Sequence, residues 1–161
     1  VAVTGQTTNS VYDCEGYRLP TEAEWEHAAR ASTDLLFAGS NSWTSVAHTG
    51  DEGTTITAPQ SIGALAPNFW GLYDMSGNVS EWVWDFYDTY PYPAPEMLID
   101  PDGSCDGCTS RTVRGGSWYQ EPGGSRTTAR FEYASEYPLV TESNGATVGF
   151  RIARTVPAPG D

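Results

Sequence analysis

The sequence has 161 residues and a formal net charge of −13, with 21 acidic residues against 8 basic ones. Such a negative field repels nucleic acid and anionic membrane surfaces, so we expect neither as a partner. No apolar run is long enough to span a membrane, which excludes membrane insertion as a function.

The composition predicts an irregular single domain. There are 17 glycines, 11 prolines, 6 tryptophans, 9 tyrosines and 5 phenylalanines. A chain of this length can bury a core of its own, and this balance favours loops packed by aromatic rings over a helical bundle. Because the chain begins at Val1 without a methionine, we expect a processed product or a fragment.

Three cysteines are an odd number. Cys105 and Cys108 are separated by Asp106 and Gly107, which suit a turn, and this favours a local disulfide over a redox pair or half of a zinc site. A disulfide in turn favours an exported protein, secreted or on the cell surface. Cys14 is left over.

The first regular element follows an extended lead-in at residues 1–13. A helix is predicted at residues 22–31, because Thr21 and Glu24 form a capping box at its start. Its apolar side chains fall on one face, which we expect to pack on the core. His27 falls on the polar side and is predicted to be solvated.

The next segment, residues 34–67, is predicted to be a long loop. It has a few apolar anchors: Phe37, Trp43 and Ile62. Its oxygen-bearing side chains are candidate ligands for a cation: Asn41, Asp51 and Glu52. His48 is predicted to face solvent, since no second histidine or cysteine stands at metal-binding spacing.

The chain is organised around residues 68–85, which alternate bulky aromatics with polar oxygens. The rings must be buried, while the oxygens of Asp74, Asn78, Glu81 and Asp85 must be solvated or paired. Glycines allow the backbone to turn sharply between them. We therefore predict a packed core around a tight, oxygen-rich loop of the kind that holds hard cations such as Ca²⁺.

The later elements are predicted from shorter patterns. Tyrosines and prolines between residues 85 and 101 favour a rigid surface loop that covers the core over one that presents rings to a ligand. Strands are predicted at residues 111–114, 129–133 and 148–153. Residues 155–161 are predicted to be a flexible tail.

Four blocks of sequence match one known family in order. They are YRLPTEAEWE at residues 17–26, NFWGLYDMSGNVSEWVWD at 68–85, RGGSW at 114–118 and GFR at 149–151. Together they resemble the formylglycine-generating enzyme (sulfatase-modifying factor) family. The resemblance covers residues 17–154. It implies an irregular α+β domain, a variant of the C-type lectin fold, of which residues 1–154 form the C-terminal part.

The resemblance also implies bound calcium. On the family pattern Asp74 and Glu81 match side-chain ligands of one ion. Gly77 and Val79 match positions that contribute backbone carbonyls, which agrees with an oxygen-rich turn. A second site, with shorter spacing than the family shows, falls on the earlier loop: Asn41, Ser42, either Asp51 or Glu52, and Thr54.

The activity of the family is not expected here. Its catalysis uses two cysteines after the Gly-Gly-Ser block, which bind copper and oxidise a substrate cysteine to formylglycine. Soft thiolates are what copper(I) requires. Residues 117–126 contain no cysteine, and Cys105 and Cys108 precede the block. We therefore do not expect copper-dependent formylglycine-generating activity.

Domains of the family carry a longer segment ahead of the block that begins at Tyr17. The resemblance therefore predicts that this chain exposes apolar surface. We expect an upstream polypeptide segment or a neighbouring subunit to complete the domain. Cys14 would then be the half-cystine to an upstream cysteine.

Three functions are consistent with these expectations. The first is a non-catalytic, calcium-stabilised binding or assembly module of a secreted or surface protein, which holds a protein, peptide or glycan in the family's groove. Its candidate contact residues are Trp118, Tyr119, Gln120, Glu121, Arg126 and Arg130. The second is an enzyme of the superfamily with altered chemistry, based on Ser117, Glu121, Arg126 and Arg130. The third is a structural subunit of an extracellular polymer.

Overall fold

The structure is a computed structural model that describes residues 11–51, 56–87, 103, 107–134, 140–141 and 145–155. Within these residues one α-helix packs against a four-stranded sheet, and short strand pairs and 3₁₀ turns surround them. None of the described helical segments is long and apolar enough to cross a bilayer. Residues 1–10 of the predicted lead-in, most of the predicted surface loop and residues 156–161 of the predicted tail lie outside the described ranges. The last part of the lead-in, Val11–Asp13, is a 3₁₀ turn and not the predicted extended chain.

The helix α1, Glu22–Arg30, begins and ends where its local chemistry dictates. Thr21 Oγ1 accepts a hydrogen bond from the Glu24 amide, and the Glu24 carboxylate accepts one from the Thr21 amide at 2.8 Å. This is the predicted capping box. At the other end Ala31 adopts the left-handed conformation with φ 46°. The helix predicted at residues 22–31 is confirmed to within one residue.

The described residues form ten strands. They are β1 Tyr17–Arg18, β2 Ala47–His48, β3 Ser76–Gly77, β4 Ser80–Phe86, β5 Ser110–Arg114, β6 Arg130–Ala134, β7 Val140–Thr141, β8 Gly145–Ala146, β9 Val148–Phe150 and β10 Ala153–Arg154. The central sheet has the order β6, β5, β4, β9, and its pairs are antiparallel except for β4 with β9. β1 pairs with β10, β2 with β3 and β7 with β8.

The predicted strands are found, with one division. β5 and β6 lie within one residue of the predicted ranges 111–114 and 129–133. The predicted strand at residues 148–153 is divided into β9 and β10, which belong to different sheets. Arg151 and Ile152 stand between them, where the chain leaves one sheet for the other.

Residues 68–85 were predicted to be a tight loop, but their second part forms strand β4. The turns are confined to the first part, and the second part is extended, with side chains that alternate between two faces. Three buried side chains lie on the face toward α1: Glu81, Val83 and Asp85. Three half-buried side chains lie on the opposite face, named here the outer sheet face: Trp82, Trp84 and Phe86.

The outer sheet face continues across the neighbouring strands. Trp82 pairs in register with Val113 on β5, which pairs with Phe131 on β6. Tyr133, two residues further along β6, packs edge-on against the Trp82 ring at 5.5 Å. Arg111 lies over the Phe86 ring at 4.0 Å. One side of the sheet is therefore largely aromatic.

The core between α1 and the sheet is small. One buried cluster forms it: Trp25, Ala29, Ala38, Met75 and Val83. Ala28 and Leu72 pack against its edge. Because the apolar cluster is limited, polar contacts do a large part of holding the helix in place.

Buried charges join α1 to the sheet. Arg114 on β5 is fully buried; its guanidinium bonds to Glu26, and its Nε lies 3.3 Å from the Glu22 carboxylate. Arg130 on β6 pairs with Glu22 as well. Burial lowers the pKa of Arg114, against the opposing effect of Glu22 and Glu26. Buried ion pairs thus hold the helix against the sheet. Each charge needs its partner to offset the cost of its desolvation.

Several side chains lie elsewhere than predicted. The rings of residues 68–85 were predicted to be buried, but Phe69, Trp70 and Tyr73 are exposed. Ile62, expected to be an apolar anchor, is 90% exposed, because it stands at a turn beside Gly63 with φ 72°. His48, expected to face solvent, is half-buried, and its Nε2 is buried without a hydrogen-bond partner in the described part of the chain. The pairing of β2 with β3 places His48 opposite Gly77 and draws it inward.

Candidate functional site

The loop that follows β5 builds the candidate site, and two glycines shape it. Gly115 and Gly116 have φ of 88° and 69°, a region that glycine enters without steric cost. A Cβ on Gly116 would lie 2.6 Å from the Gly124 carbonyl oxygen and from Ser125 Oγ. The chain can therefore fold back closely on the 3₁₀ turn Pro122–Ser125 only because position 116 has no side chain.

Backbone hydrogen bonds fix this loop against the central block. The Trp118 amide donates to the Asn78 carbonyl at 2.8 Å, and the Gly50 amide donates to the Gln120 carbonyl at 2.8 Å. Asn78 is itself buried and exchanges hydrogen bonds with the backbone of Gln60. The loop is thus held by two segments that lie far away in sequence.

A pocket of about 220 Å³ opens on the outer sheet face beside this loop. Strand and loop residues line it: Ser80, Val113, Ser117, Tyr119, Gln120, Phe131, Glu132, Tyr133, Thr147 and Val148. The lining is mostly aromatic, aliphatic and hydroxyl-bearing. Glu132 is the one charged residue among the described residues that line the pocket, and the alternation along β6 directs its side chain to the opposite face from Phe131 and Tyr133.

Gln120, one of the residues that line the pocket, has a buried side-chain acceptor. Its Oε1 is buried and has no hydrogen-bond partner in the described part of the chain. Gly124 leaves room for this side chain, since a Cβ there would lie 3.5 Å from Gln120 Cβ and 3.2 Å from the Phe131 ring. A buried carbonyl oxygen without a partner is unfavourable, so this side chain costs the fold some stability.

The structure separates the predicted contact residues. Tyr119 and Gln120 line the pocket, whereas Trp118 is buried to 3% exposure and packs against Tyr119. Glu121 and Arg126 are exposed and do not line it. Arg130 lies on the other face of the sheet, where it pairs with Glu22. Ser117, named for an altered enzyme, does line the pocket.

Ser125 was not predicted as part of the site. It is fully buried next to Gly116, and its Oγ has no hydrogen-bond partner among the described residues. No local pattern marks it, because its burial follows from the close return of the chain at Gly116.

Asp74, predicted to be a calcium ligand, lies in the turn before β3. It has a positive φ of 56° and is half-buried. Its Oδ2 accepts a hydrogen bond from the Gly63 amide at 2.7 Å. Gly77 ends β3 at φ 74°, and Val79 follows it in the link to β4. The four predicted residues of this site therefore follow one another through the turn before β3, the end of β3, the link after it and the start of β4.

Glu81, the other predicted side-chain ligand, already has strong partners. Its Oε2 accepts from Trp25 Nε1 and from Arg151 Nε, each at 2.7 Å, and its Oε1 accepts from Arg151 Nη2 at 2.7 Å. A carboxylate offers about four acceptor positions, so roughly one remains, on Oε1. The residues fit a calcium ion if Asp74 and backbone carbonyls supply most ligands and Glu81 contributes through Oε1.

The second predicted cation site is only partly described. Asn41 Oδ1 accepts from the Leu36 amide at 3.0 Å, and Ser42 Oγ bonds to Thr44 Oγ1 at 2.9 Å. Glu52 and Thr54 lie outside the described residues. Nowhere in the described ranges do three or more His, Cys, Asp or Glu side chains cluster closely enough to hold a metal ion. Within the described residues a cation would therefore need backbone, hydroxyl or amide oxygens in addition to one or two carboxylates.

The cysteines are described in part. Cys14 is buried and has a free thiol. Cys105 lies outside the described residues, so the disulfide between Cys105 and Cys108 stays a prediction.

Asp85 forms a second polar feature, on the helix side of the sheet. Its Oδ2 accepts a hydrogen bond from the Glu22 amide at 2.6 Å, at the first residue of α1. Burial raises the pKa of Asp85 to about 6; the hydrogen bond from Glu22 opposes this shift, and the negative charge of Glu22 adds to it. A helix N-terminus favours a negative charge, but here desolvation outweighs that preference.

Comparison with known proteins agrees with this architecture. Residues 2–156 match the family described as the sulfatase-modifying factor enzyme 1-like domain. The chain belongs to this family, and the resemblance seen in the four sequence blocks is confirmed.

The relatives include formylglycine-generating enzymes. That of Thermomonospora curvata is 38% identical over 155 residues, which cover 86% of this chain and 49% of the relative. That of Mus musculus is 32% identical over 153 residues, covering 86% of this chain and 39% of the relative. The chain thus spans half or less of the length of these curated relatives.

Solved structures confirm the fold class. Treponema denticola variable protein 1 superposes with a TM-score of 0.74 at 28% identity, covering 90% of this chain and 50% of that one. PvdO from Pseudomonas aeruginosa superposes with a TM-score of 0.67 at 32% identity, covering 87% and 53%. The predicted irregular α+β domain, a C-type-lectin-like fold with few helices, is the fold of this chain.

Proposed function

We propose that this chain is a non-catalytic, calcium-stabilised binding module of a secreted or surface protein. The observation that carries the proposal is the pocket on the outer sheet face, whose described lining includes Gln120 and Tyr119. A recess lined mainly by aromatic and aliphatic side chains, with a few polar groups among them, is suited to holding a ligand.

The chemistry of the lining supports binding over catalysis. None of the described residues that line the pocket is a cysteine or a histidine, and residues 117–126 contain no cysteine. Ser80 and Ser117 supply hydroxyls to this lining, yet no imidazole accompanies them there as a general base. Turnover of a cysteine-containing peptide in the presence of copper would overturn this part of the proposal and favour an enzyme.

The binding proposal is tested by removing the acceptor. Gln120→Met keeps the length and volume of the side chain but removes its hydrogen-bonding amide. We expect it to abolish most capture of ligands from immobilised peptide and glycan arrays, at unchanged melting temperature. Gln60→Met is the matched control, because Gln60 is exposed and outside the pocket. Equal capture by wild type and Gln120→Met would overturn the proposal.

The calcium part rests on Asp74 and its turn. If the ion binds only the folded protein, it adds stability by mass action, so chelation with EDTA should lower the melting temperature. In Asp74→Ala the same EDTA addition should cause no shift, whereas Asp34→Ala, at an exposed site on the helix side, should respond as wild type does. A wild-type melting temperature that EDTA leaves unchanged would remove calcium from the proposal.

Export and a completing partner belong to the same proposal. Exposed large apolar side chains support a partner: Ile62, Phe69, Trp70, Phe150 and Ile152. Tyr73 connects part of this surface, since Gly63 lies against its ring and Arg151 bonds to its carbonyl. We propose that an upstream polypeptide segment or a neighbouring subunit covers these side chains, as in an assembly module or a polymer subunit.

Sedimentation of the purified chain tests this partner. We expect self-association with rising concentration, weakened in the double variant Ile62→Ser/Phe150→Ser. A chain that stays monomeric at all concentrations would exclude the neighbouring-subunit form. Intact mass with and without reductant then decides whether a second polypeptide is tethered, and alkylation reports whether Cys105 and Cys108 are bonded.

A further inference from the structure

Arg111 lies on the outer sheet face, beside the pocket to which the binding function is assigned above. It pairs in register with Phe86 on β4 and with Tyr133 on β6, and Tyr133 lines the pocket. We propose, on the basis of that binding function, that Arg111 binds an acidic side chain, aspartate or glutamate, of a protein partner that lies across this face.

Arg111 differs from the other arginines of this sheet, because it has no ion pair with a described residue. Arg114 and Arg130 both pair with glutamates of α1. Burial lowers the pKa of Arg111, and the negative charge of Asp85, on the opposite face of the sheet, offsets only part of this effect. A half-buried guanidinium of this kind gains from a carboxylate on its own side of the sheet.

The guanidinium of Arg111 is held in one orientation. Its Nη1 donates to the Trp84 carbonyl, and its central carbon lies 4.0 Å from the centre of the Phe86 ring. Its Nε and Nη2, which together form another edge of the group, have no hydrogen-bond partner in the described part of the chain, and neither atom is buried there. A carboxylate can therefore approach this edge from solvent without a change in the fold.

This protein binds carboxylates through the same edge of two other arginines. Arg151 donates from Nε and Nη2 to Glu81, each at 2.7 Å, and Arg130 donates from the same two atoms to Glu22. Two parallel N–H groups match the two oxygens of a carboxylate, and a lysine ammonium does not reproduce this geometry. Arg111 presents the same pair of donors to solvent.

The aromatic surroundings of Arg111 favour a protein over a small organic acid. Trp82 and Trp84 are half-buried on the same face, and Phe150, in register with Trp82, is 66% exposed. Aromatic side chains and arginine are enriched where protein interfaces gain most of their binding energy. The net charge of −13 repels a strongly acidic partner, so we expect a single carboxylate among apolar side chains.

The test compares three capped tripeptides by NMR titration of the full chain. They are acetyl-Trp-Glu-Leu-amide, acetyl-Trp-Gln-Leu-amide and acetyl-Trp-Lys-Leu-amide, so only the charge and end group of the middle side chain change. We expect the glutamate peptide to shift the resonances of Phe86, Arg111 and Tyr133. It should bind about fivefold more tightly than the glutamine peptide, and the lysine peptide should bind most weakly.

Variants assign this preference to one side chain. Arg111→Lys keeps the positive charge but removes the paired donors, so the preference for glutamate over glutamine should fall below about twofold. Arg126→Lys is the matched control, because it makes the same change at an exposed position outside the pocket. A preference that survives in Arg111→Lys, or that falls equally in Arg126→Lys, would overturn the assignment.

Two further measurements identify the source of the carboxylate. If acetyl-Trp-Gln-Leu with a free carboxyl terminus binds as tightly as the glutamate peptide, Arg111 captures a chain terminus and the assignment to an acidic side chain is overturned. If Arg111→Lys abolishes self-association in sedimentation, the carboxylate belongs to a second copy of this chain, which also overturns the assignment. We expect neither result.

Failure of this assignment differs from failure of the proposed function. If the glutamate and glutamine peptides bind equally, the carboxylate assignment is overturned, while array capture that is lost in Gln120→Met still supports a binding module. If no peptide shifts these resonances and Gln120→Met captures as much as wild type, both proposals fail.

Discussion

Asp85 couples the stability of the fold to pH. Burial raises the pKa of Asp85 to about 6, against its ordinary value of 3.8. The folded protein therefore binds this proton more tightly than the unfolded chain does. The contribution of Asp85 to stability is fully present below about pH 4 and is lost as the pH rises through about 6.

Asp85→Asn should remove this dependence. The amide oxygen of Asn can still accept from the Glu22 amide, but it carries no charge to desolvate. We expect the variant to exceed wild type in free energy of unfolding by up to about 3 kcal/mol near pH 8 and to equal it near pH 4. Urea denaturation at both pH values measures the gap, and a gap of the same size at each would contradict the assignment.

Gly71 and Gly77 have similar backbone angles, so alanine at each position distinguishes the cost of a strained backbone from the cost of a steric collision. At Gly71, with φ 77°, an added Cβ would have nothing within 4 Å, whereas at Gly77, with φ 74°, it would collide with the His48 backbone. Gly71→Ala should lower the free energy of unfolding by about 1–2 kcal/mol, the penalty of the left-handed conformation. Gly77→Ala should lower it by clearly more. Equal losses in thermal or urea unfolding would mean that β2 yields to the new methyl group.

At the scale of single residues, contacts between neighbours in the sequence could be predicted, whereas contacts between distant residues could not. The capping box of Thr21 and Glu24 could be predicted because its partners are three residues apart. The buried acceptor of Gln120 could not, since it arises where the loop after β5 packs beside Phe131 and Gly124. His48 was predicted wrongly for the same reason: its burial depends on pairing with β3.

At the scale of secondary-structure elements, buried charged side chains hold α1 against the sheet. Arg114 is fully buried between Glu22 and Glu26, while Arg30 pairs with Glu26 and Asp34 at the partly exposed end of the helix. Arg114→Met leaves carboxylates without a buried partner and should lower the free energy of unfolding by about 3 kcal/mol or more. Arg30→Met should lower it by less than about 1 kcal/mol.

Chemical denaturation of both variants measures this difference. Circular dichroism of Arg114→Met at low denaturant would show whether the helix is retained. Similar small losses in the two variants would mean that the apolar cluster around Trp25 and Val83 holds α1 without help from the ion pairs.

Helices and strands could be predicted where the apolar side chains of a segment follow one regular pattern. The apolar face of α1 repeats with the helical period, and β5 and β6 are short runs bounded by turns. β4 was missed because residues 68–85 were treated as one unit, although the period-two alternation from Ser80 to Phe86 was present in the sequence. Its oxygens at positions 81 and 85 are directed to α1, which no local pattern reveals.

At the scale of the whole molecule, the net charge of −13 should destabilise the folded state through self-repulsion. Raising KCl from about 0.05 M to about 0.5 M screens this repulsion and should raise the melting temperature. The measurement belongs in EDTA, so that calcium does not contribute. A melting temperature that falls with salt would indicate that attractive pairs such as Arg18 with Glu24, at 2.6 Å, outweigh the repulsion.

The overall fold could be predicted because four blocks of sequence kept the order of one family. Those blocks lie where secondary-structure elements begin or end. The positions are the start of α1, the turns before β4, the double glycine after β5 and the end of β9. The pocket between them could not be predicted in detail, because its lining combines β4, β5, β6 and β9 with a loop. Only the assembled sheet brings these segments together.

The parallel pairing of β9 with β4 also has a consequence for biosynthesis. Glu81 receives its guanidinium partner from Arg151, 70 residues later in the chain. Until residues 148–151 have left the ribosome, β4 lacks β9 as its neighbouring strand. Burying Glu81 at that stage would desolvate its carboxylate without a counter-charge. The growing polypeptide should therefore remain open to chaperones until residues 148–151 emerge, and α1 and β4 should lock together only afterwards.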